Sequence, residues 1–234
     1  MNILVTAGAT REPIDGVRFI SNFSTGKTGA RLSDELIQQG NRIVYVCGAD
    51  SEIPHRSCEI MRFGSFFELD VILRSLLQQR SFDCVIHLAA VSDFSVEAIE
   101  IEGHRFAAGI IRKIDSEGRV ILHLKPNFKI VERLKSYAAS RKMAVIAFKL
   151  TNIPIEIGDG GDSSSGESRE TLQMKAITKL LGGANVDYVV HNDFADIQSG
   201  SQHFGIYGPH HKIRDCDTPE SLARELVNEV KKSA

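Results

Sequence analysis

The feature that most constrains the fold is the alternation of short apolar runs with segments of helical periodicity. Strand-like apolar runs occur at 2–7, 42–47 and 84–90, and helical segments near 27–39 and 66–79 separate them. Parallel neighbouring strands need a long crossover connection, usually a helix, so this order predicts parallel βαβ units. We therefore expect an α/β fold, a doubly wound, Rossmann-like three-layer sandwich.

The second half continues this alternation after an irregular β segment. Residues 104–124 (HRFAAGIIRKIDSEGRVILHL) predict a strand, a turn at Ser116, Glu117 and Gly118, and a second strand. We expect a small β excursion from the main sheet at about 95–124. Further helices are predicted near 127–140, near 169–181 and from Pro219, and strands at 143–150, 187–192 and near 203–207.

Two local signals add detail. Thr218 precedes Pro219, and its hydroxyl can cap a helix in which proline takes the first position. Residues 157–168 (IGDGGDSSSGES) are rich in glycine and serine, which predicts a flexible loop.

Length and charge narrow the class of protein. A chain of 234 residues suits one large α/β domain, and we expect a single domain over 1–234. The formal charge is −2, with 28 basic and 30 acidic residues well mixed, so neither nucleic acid nor an anionic membrane is an expected partner. The chain opens on a strand-like run, and no apolar stretch approaches the ~20 residues of a membrane span, which favours a cytoplasmic protein.

The cysteines and histidines give no sign of a metal site. Cys47, Cys58, Cys84 and Cys216 are scattered without C-x-x-C spacing, so we interpret them as reduced thiols in mostly apolar surroundings. The histidines also lack metal-ligand spacing, and we expect no protein-bound metal.

Ligands of an open parallel sheet bind outside the carboxyl ends of its strands. Four segments follow predicted strands and should meet at this carboxyl edge of the sheet. They are TAGATREPID, AAVSDF, the Gly/Ser loop and HNDFADI. We therefore look for chemistry at the carboxyl edge.

The first of these segments leads into a predicted phosphate site. Ser24, Gly26 and Lys27 lie at a helix start, where free N–H groups and the helix dipole favour an anion. The spacing is neither a Walker A loop nor G-x-G-x-x-G, so an ordinary helix start is the alternative. Asn22 could orient a carboxylate or phosphoanhydride through its amide, and a turn or capping role is its alternative.

The motif AAVSDF ends the next strand at this edge with small residues and a carboxylate. Ala89 and Ala90 would let a flat base or sugar approach the backbone, and Asp93 could hold ribose hydroxyls or a base amine. Tight helix packing would also select alanine here.

Three lysines complete the list of candidates. Lys175 and Lys179 are four residues apart and face the same side of a helix, where they could clamp a triphosphate or simply meet solvent. Lys113 lies on the β excursion and could neutralise charge that develops during group transfer if that arm closes.

These segments occur in the order found in one family. TAGATREPIDGVRFISNFSTGKTG and AAVSDF resemble the first two signatures of the phosphopantothenoylcysteine synthetase family, and LHLKPNFKIVERL, AFKLT, KAITK and HNDF are similar to the rest. The resemblance covers about residues 2–195. RKIDSEG is poorer in lysine than the K-I-K-K form of many bacterial members, and AFKLT differs from their G-F-A-A-E-T.

The resemblance implies a role for each candidate. Asn22 matches the asparagine that interacts with an acyl-nucleotide intermediate, and Lys113 matches the lysine of a strap that closes over the site. Phe148 matches an aromatic beside the base. The nucleotide-contacting residues implied by the resemblance are Ala89, Ala90, Asp93, Lys175 and Lys179.

The implied reaction joins 4'-phosphopantothenate to L-cysteine, with CTP or ATP as co-substrate together with Mg²⁺. Bacterial members generally use CTP and eukaryotic members ATP, and we favour CTP. The family typically forms homodimers through the β excursion. Because 234 residues leave no room for the decarboxylase domain of bifunctional members, we expect a stand-alone synthetase without flavin, whose product passes to a separate decarboxylase.

Two other classes of protein share some of these features. A doubly wound sheet starting at residue 2 also fits a short-chain NAD(P)-dependent oxidoreductase, but the first loop lacks G-x-x-x-G-x-G. The nearest approach to a Tyr-x-x-x-Lys pair is Tyr137 with Arg141. A non-catalytic nucleotide-binding protein on the same fold is the second alternative.

Overall fold

The computed structural model of the chain describes residues 1–109, 113–114, 118–139, 142–153, 167–183 and 185–233. Strands and helices alternate along most of this length. In chain order the elements are β1 (Asn2–Ala7), β2 (Arg11–Pro13), β3 (Phe19–Ser21), α1 (Lys27–Gln38), β4 (Arg42–Gly48), β5 (Glu59–Phe63), α2 (Phe66–Gln79), β6 (Cys84–His87), β7 (Phe94–Ile101), β8 (His104–Ala107), β9 (Val120–Pro126), α3 (Ile130–Tyr137), β10 (Ala144–Thr151), α4 (Arg169–Gly182), β11 (Tyr188–Asp193), α5 (Phe194–Gln198), β12 (Phe204–Tyr207), β13 (Lys212–Cys216) and α6 (Pro219–Ser233).

The main sheet has eight strands in the spatial order β13-β12-β11-β10-β6-β1-β4-β5. The six strands from β11 to β5 pair in parallel, whereas β12 and β13 are antiparallel additions at one side. From β1 the chain winds to β4 and β5, and from β6 it winds the opposite way to β10 and β11. The winding therefore reverses between β1 and β6, which is where open α/β sheets bind ligands.

Helices cover both faces of this sheet. On one face α1 and α6 pack over a core that includes Val5, and on the other α2, α3 and α4 pack over a core that includes Leu4. Both residues are fully buried, as expected for a central parallel strand covered on two sides. The doubly wound three-layer α/β sandwich predicted from the sequence is confirmed.

The longer elements lie close to their predicted bounds, while several short elements escaped prediction. The strand predicted at 84–90 ends at His87, and Ala90 instead forms an isolated bridge with Ala9. Beside the eight-residue β7, which lies ahead of the strands predicted within 104–124, the unpredicted elements are β2, β3, β5, β13 and α5, each three to five residues long. Elements of this length do not complete enough of a period to be recognised from hydrophobic pattern.

The β excursion forms a separate three-stranded sheet in the order β8-β7-β9. The strand-turn-strand prediction for 104–124 was wrong about the pairing, because β8 and β9 both pair with β7 and not with each other. β7 pairs at one edge with β8 and at the other with β9, and its buried side chains Val96 and Ile99 pack with Ile114 in a small core. Of the predicted turn, Ser116 and Glu117 lie outside the described residues.

Most of the Gly/Ser segment at 157–168 also lies outside the described residues. Its last two residues, Glu167 and Ser168, precede α4. The Ser168 hydroxyl accepts the backbone N–H of Thr171 at 3.2 Å and so caps this helix.

The cap of the last helix gives a test of the fold. Thr218 Oγ1 accepts the N–H of Ser221 at 3.0 Å, as predicted. Replacing Thr218 by alanine is expected to lower the free energy of unfolding by about 1 kcal/mol, because one N–H at the start of α6 loses its acceptor. Urea denaturation measures this loss. Thr218→Ser keeps the hydroxyl, so equal losses in the two variants would contradict the assignment.

The cysteine prediction is also confirmed. All four are free thiols; Cys47, Cys84 and Cys216 are buried, and Cys58 is partly buried. Burial raises the pKa of the Cys84 thiol above its ordinary value. None of the four is therefore a reactive thiolate at neutral pH.

In the part of the chain that the structure describes, no helix has the length and apolar character needed to cross a lipid bilayer. The same residues contain no group of three or more His, Cys, Asp or Glu side chains suited to hold a metal ion.

Candidate functional site

The loops after β1 and β6 are joined by hydrogen bonds at the point where the winding reverses. The N–H of Ala90 donates to the carbonyl of Gly8 at 2.7 Å, and the N–H of Thr10 donates to the carbonyl of Ala90 at 3.3 Å. The N–H of Ser92 donates to Thr10 Oγ1 at 3.0 Å. TAGATREPID and AAVSDF, predicted to meet at the carboxyl edge, thus form one continuous surface.

The strands β2 and β3 pair as a small hairpin that brings Asn22 onto this surface. Asn22 follows β3 directly, and its Nδ2 donates to the carbonyl of Val91 at 3.2 Å. The side chain is exposed. The structure therefore brings Asn22 together with the motif AAVSDF, called the alanine motif below, although 69 positions separate Asn22 from Val91 in the sequence.

The backbone of the alanine motif is hydrogen-bonded to buried polar side chains. Thr6 Oγ1 accepts the N–H of Ala89 at 3.2 Å and lies 2.8 Å from Nδ1 of His87. Burial lowers the pKa of His87 to about 4, so the ring is neutral at neutral pH. Ala89 and Ala90 remain partly accessible, and Asp93 is exposed and forms an ion pair with Lys129.

The predicted phosphate site lies at the start of α1. Gly26 is the N-cap residue in the left-handed conformation (φ 77°) and has no side chain of its own to cap the helix, while Thr25 Oγ1 accepts the N–H of Lys27 at 3.3 Å. Ser24 and Lys27 are exposed beside it. Gly29 packs against β1 so closely that an added Cβ would lie 2.6 Å from Cβ of Ala7. The helix dipole and the first-turn N–H groups that Thr25 does not occupy can thus bind an anion close to the end of β1.

Lys113 is placed by the residue that follows it. Ile114 is buried in a small core with Val96 and Ile99, and its N–H donates to Oδ2 of Asp15 at 3.0 Å. Asp15 belongs to the turn between β2 and β3, just ahead of Asn22. Lys113 is exposed beside this anchor. Asp15 therefore connects the Lys113 segment to the hairpin that carries Asn22.

Asp15 gives a pH-dependent prediction. Its carboxylate accepts N–H groups from Ile114, Val17 and Arg18, and these bonds hold its pKa below the ordinary value of 3.8, against the opposing effect of burial. Asp15→Asn is expected to lower the urea midpoint at pH 7. The ionised carboxylate stabilises the fold above its unfolded pKa, and this contribution is lost as the pH falls through the lower folded pKa. The difference between the two urea midpoints should therefore start to shrink below about pH 4 and disappear once the pH is below the folded pKa of Asp15. A difference that persists there would contradict the assignment.

Phe148 and the paired lysines lie on opposite faces of the sheet. Phe148 is on β10, and its ring packs edge-on to Phe204 with centroids 6.5 Å apart, on the side of α1 and α6. Lys175 and Lys179 are exposed on α4 on the other side, where they line a shallow groove with Thr171, Met174 and Thr178. Lys175 also forms an ion pair with Glu167.

Glu12 is a structural support that the sequence did not reveal. Its buried carboxylate accepts the N–H of Phe66 at 2.9 Å and the hydroxyl of Ser95 at 2.7 Å. Asn127 adds to the same network, since its Oδ1 lies 3.0 Å from the hydroxyl oxygen of Ser95 and its Nδ2 donates to the carbonyl of Ser92 at 3.1 Å. These bonds tie α2 and β7 to the first loop, and they depend on contacts between distant segments.

A second unpredicted network lies at the ends of β10 and β11. Thr151 donates its hydroxyl to Asp193 at 2.8 Å, and Nε2 of His191 lies 2.9 Å from the same hydroxyl oxygen. Because the threonine proton goes to the carboxylate, His191 must donate from Nε2. Burial lowers the pKa of His191 below its ordinary value, which keeps the ring neutral.

Residues 1–158 match the family described as DNA/pantothenate metabolism flavoprotein C-terminal domain. The range includes Asn22, Ala90, Asp93, Lys113 and Phe148, whereas α4 and its lysines follow it. A relative from Thermococcus kodakarensis, coenzyme A biosynthesis bifunctional protein CoaBC, is 29% identical over 231 residues, which are 98% of this chain and 51% of that protein. The chain spans about half the length of the relatives it matches.

Solved structures share the fold. The DNA/pantothenate metabolism flavoprotein from Streptococcus pneumoniae superposes with a TM-score of 0.82 at 22% identity and covers all of both chains. The H337A mutant of Cab2, in complex with phosphopantothenate-cysteine, gives a TM-score of 0.72 at 19% identity, over 99% of this chain and 87% of that one. At this level of identity the likeness establishes the architecture alone.

Proposed function

Because this chain belongs to the DNA/pantothenate metabolism flavoprotein C-terminal domain family, we propose that it is a phosphopantothenate–cysteine ligase of coenzyme A biosynthesis. The proposal depends mainly on one observation. Gly8 and Asn22 are both hydrogen-bonded to the alanine motif at the switch point of the sheet, where the winding reverses between β1 and β6. A nucleotide and an activated acid could share this surface, since both need backbone access and an orienting amide.

The proposed chemistry has two steps. The carboxylate of 4'-phosphopantothenate attacks the α-phosphorus of a nucleoside triphosphate, and pyrophosphate leaves with the electrons of the broken P–O bond. The amine of L-cysteine then attacks the acyl carbon and loses a proton, and the nucleoside monophosphate leaves. Neither step needs a nucleophile from the protein, so catalysis depends on positioning and on stabilising negative charge.

The residues near the switch point suit the first step. Asn22 orients the acyl-nucleotide through its exposed amide. Lys113 neutralises charge that develops on the transferring groups. Ser24, Gly26 and Lys27 at the start of α1 provide an anion site for a phosphate group.

The nucleotide is proposed to lie along the alanine motif. Ala89 and Ala90 allow the base or sugar to approach the backbone, and Asp93 exchanges its ion pair with Lys129 for contacts to the ligand. Phe148 lies beside the base. Lys175 and Lys179 contact the triphosphate from the face of the sheet opposite to that of Phe148.

We propose CTP, the nucleotide that bacterial members of the family generally use, as the co-substrate. Because the described residues contain no cluster suited to a resident metal ion, Mg²⁺ is treated as part of the nucleotide co-substrate, where it neutralises triphosphate charge. The ligation contains no redox step, so the proposal includes no flavin. A separate decarboxylase would act on the product.

A homodimer through the three-stranded sheet is also proposed. Register places Phe106, Val120 and Leu124 on the same face of this sheet as buried Ile99, yet each is 38–47% exposed. An isolated small sheet with such a face is marginal in water, and a second copy would cover it.

Charging this face gives a prediction. Leu124→Lys is expected to shift the protein from dimer to monomer at micromolar concentration, because a buried unpaired charge costs several kcal/mol at an interface. Sedimentation velocity measures the change. Lys125→Leu alters the neighbouring residue and serves as the control. A dimer that survives Leu124→Lys unchanged would exclude this face.

Pyrophosphate release tests the ligase proposal. Purified protein is incubated with Mg²⁺, 4'-phosphopantothenate and L-cysteine, and with CTP or ATP in parallel. Release that requires both the acid and one nucleotide supports the proposal and identifies the nucleotide. Nucleotide binding without release would favour a binding protein, and release with neither nucleotide would overturn the ligase assignment.

A further inference from the structure

Asp193, at the end of β11, is bound by more donors than its local role requires. Its side chain is only 5% exposed, and it forms an ion pair with Arg169. It also accepts hydrogen bonds from Gln173 Nε2 at 2.7 Å, Thr151 Oγ1 at 2.8 Å and the N–H of Ala195 at 3.0 Å. Capping the five-residue helix α5 uses the Ala195 bond alone. The other donors come from β10 and α4 and need a different explanation.

The carboxylate is ionised in this setting. Burial acts to raise the pKa of Asp193, but the hydrogen bonds from Ala195, Thr151 and Gln173 and the charge of Arg169 together hold it below the ordinary value. A buried ionised carboxylate with one cationic partner and three neutral donors is well compensated. Its charge is offset locally, so it does not oppose an anion bound nearby.

Two of the donors fix the orientation of α4. Arg169 and Gln173 are four residues apart and so lie on the same side of the helix, and Ile177 continues this stripe into the core. Lys175 and Lys179 project from a different side and are exposed. Holding the first stripe against Asp193 therefore sets the direction in which the lysines point.

We propose that Asp193 is a positioning residue for nucleotide binding, which anchors the first turns of α4 so that Lys175 and Lys179 face the triphosphate. The inference rests on the proposed function for the role of the lysines. The anchor is needed because the first N–H groups of a helix have no acceptor within it, so its first turn frays unless side chains hold it. Ser168 supplies one such contact, and Asp193 supplies the tertiary one.

The test compares Asp193→Asn with Asp196→Asn, which removes a carboxylate three residues later in α5. In Asp193→Asn we expect KM for the nucleotide that supports turnover to rise about tenfold, with kcat changed less than about threefold, because the ion pair with Arg169 is lost and the bond from Gln173 becomes a weaker, neutral one. Backbone amides of 169–179 should exchange faster with deuterium. Asp196→Asn should leave both quantities near the unsubstituted values.

Arg169→Gln provides a second route if Asp193→Asn folds poorly, since Arg169 is partly exposed. It should raise KM in the same direction, and the double variant should cost little more than either single change, because both remove one interaction. Additive effects, or a loss of kcat and stability with KM unchanged, would overturn the inference. Failure of the proposed function is distinct, since the unsubstituted protein would then release no pyrophosphate.

Discussion

Replacing Lys113 by alanine is expected to lower the rate of pyrophosphate release about a hundredfold or more. Removing one preorganised group that stabilises charge in a transition state typically costs on the order of 10²–10³ in kcat. Ile114 fixes the backbone beside Lys113 through its buried side chain and its bond to Asp15. The ammonium group is thus carried on an anchored segment and contributes to the transition state more than to the bound substrate.

Steady-state kinetics separates this role from a simple binding role. Lys113→Ala should reduce kcat while KM for 4'-phosphopantothenate and for the nucleotide changes only a few fold. Lys231→Ala, which removes an exposed lysine in the last turn of α6, serves as the control and should leave kcat unchanged. If Lys113→Ala raises KM without lowering kcat, the lysine binds a ground state and the proposed role is wrong.

The helices and strands of the main sheet could be predicted because each longer element has a periodic hydrophobic pattern within its own residues. Residues 66–79 carry a helical pattern over four turns, and α2 begins and ends at those residues. Phe194–Gln198 and Arg11–Pro13 are too short to show a period, and their conformation depends on neighbours distant in sequence. The predicted pairing of β8 with β9 was wrong for a related reason. Both strands pair with β7, and the choice of partner depends on contacts that the pattern of a single strand does not contain.

The residues of the candidate site also differ in how far the sequence could predict them. Asn22, Ala90 and Asp93 were identified from residue type and position after a strand, and the structure places them near one another. Their catalytic roles remain predictions. Glu12 and Asp193 lie in the predicted segments TAGATREPID and HNDFADI, but their supporting roles were not predicted, because the donors that surround each carboxylate come from distant parts of the sequence.

The supporting carboxylates share a physical logic. Asp15, Glu12 and Asp193 are buried at the carboxyl edge, and each accepts N–H or O–H groups from at least two elements. Each joins a segment proposed to touch ligand to another part of the fold. A fully hydrogen-bonded buried carboxylate is directional, so it fixes geometry in a way that apolar packing does not.

Replacing Gly8 by alanine is expected to lower the free energy of unfolding by about 2–4 kcal/mol. Gly8 adopts φ 78°, where a Cβ is strained by about 1 kcal/mol. The added Cβ would also lie 1.7 Å from Oγ of Ser51 and 3.1 Å from the backbone nitrogen of Gly48, so the loop after β1 must shift, which adds an overpacking cost of about 1–3 kcal/mol.

Gly40→Ala isolates the first of these costs, the backbone strain. Gly40 has a similar φ of 83°, but a Cβ there meets no atom of the described structure within 4 Å. Its loss should be about 1 kcal/mol, the backbone strain alone. Urea denaturation of the two variants measures the difference, and equal losses would show that close packing at Gly8 does not matter. Because the carbonyl of Gly8 accepts the N–H of Ala90, a shift of this loop should also raise KM for the nucleotide in Gly8→Ala and leave it unchanged in Gly40→Ala.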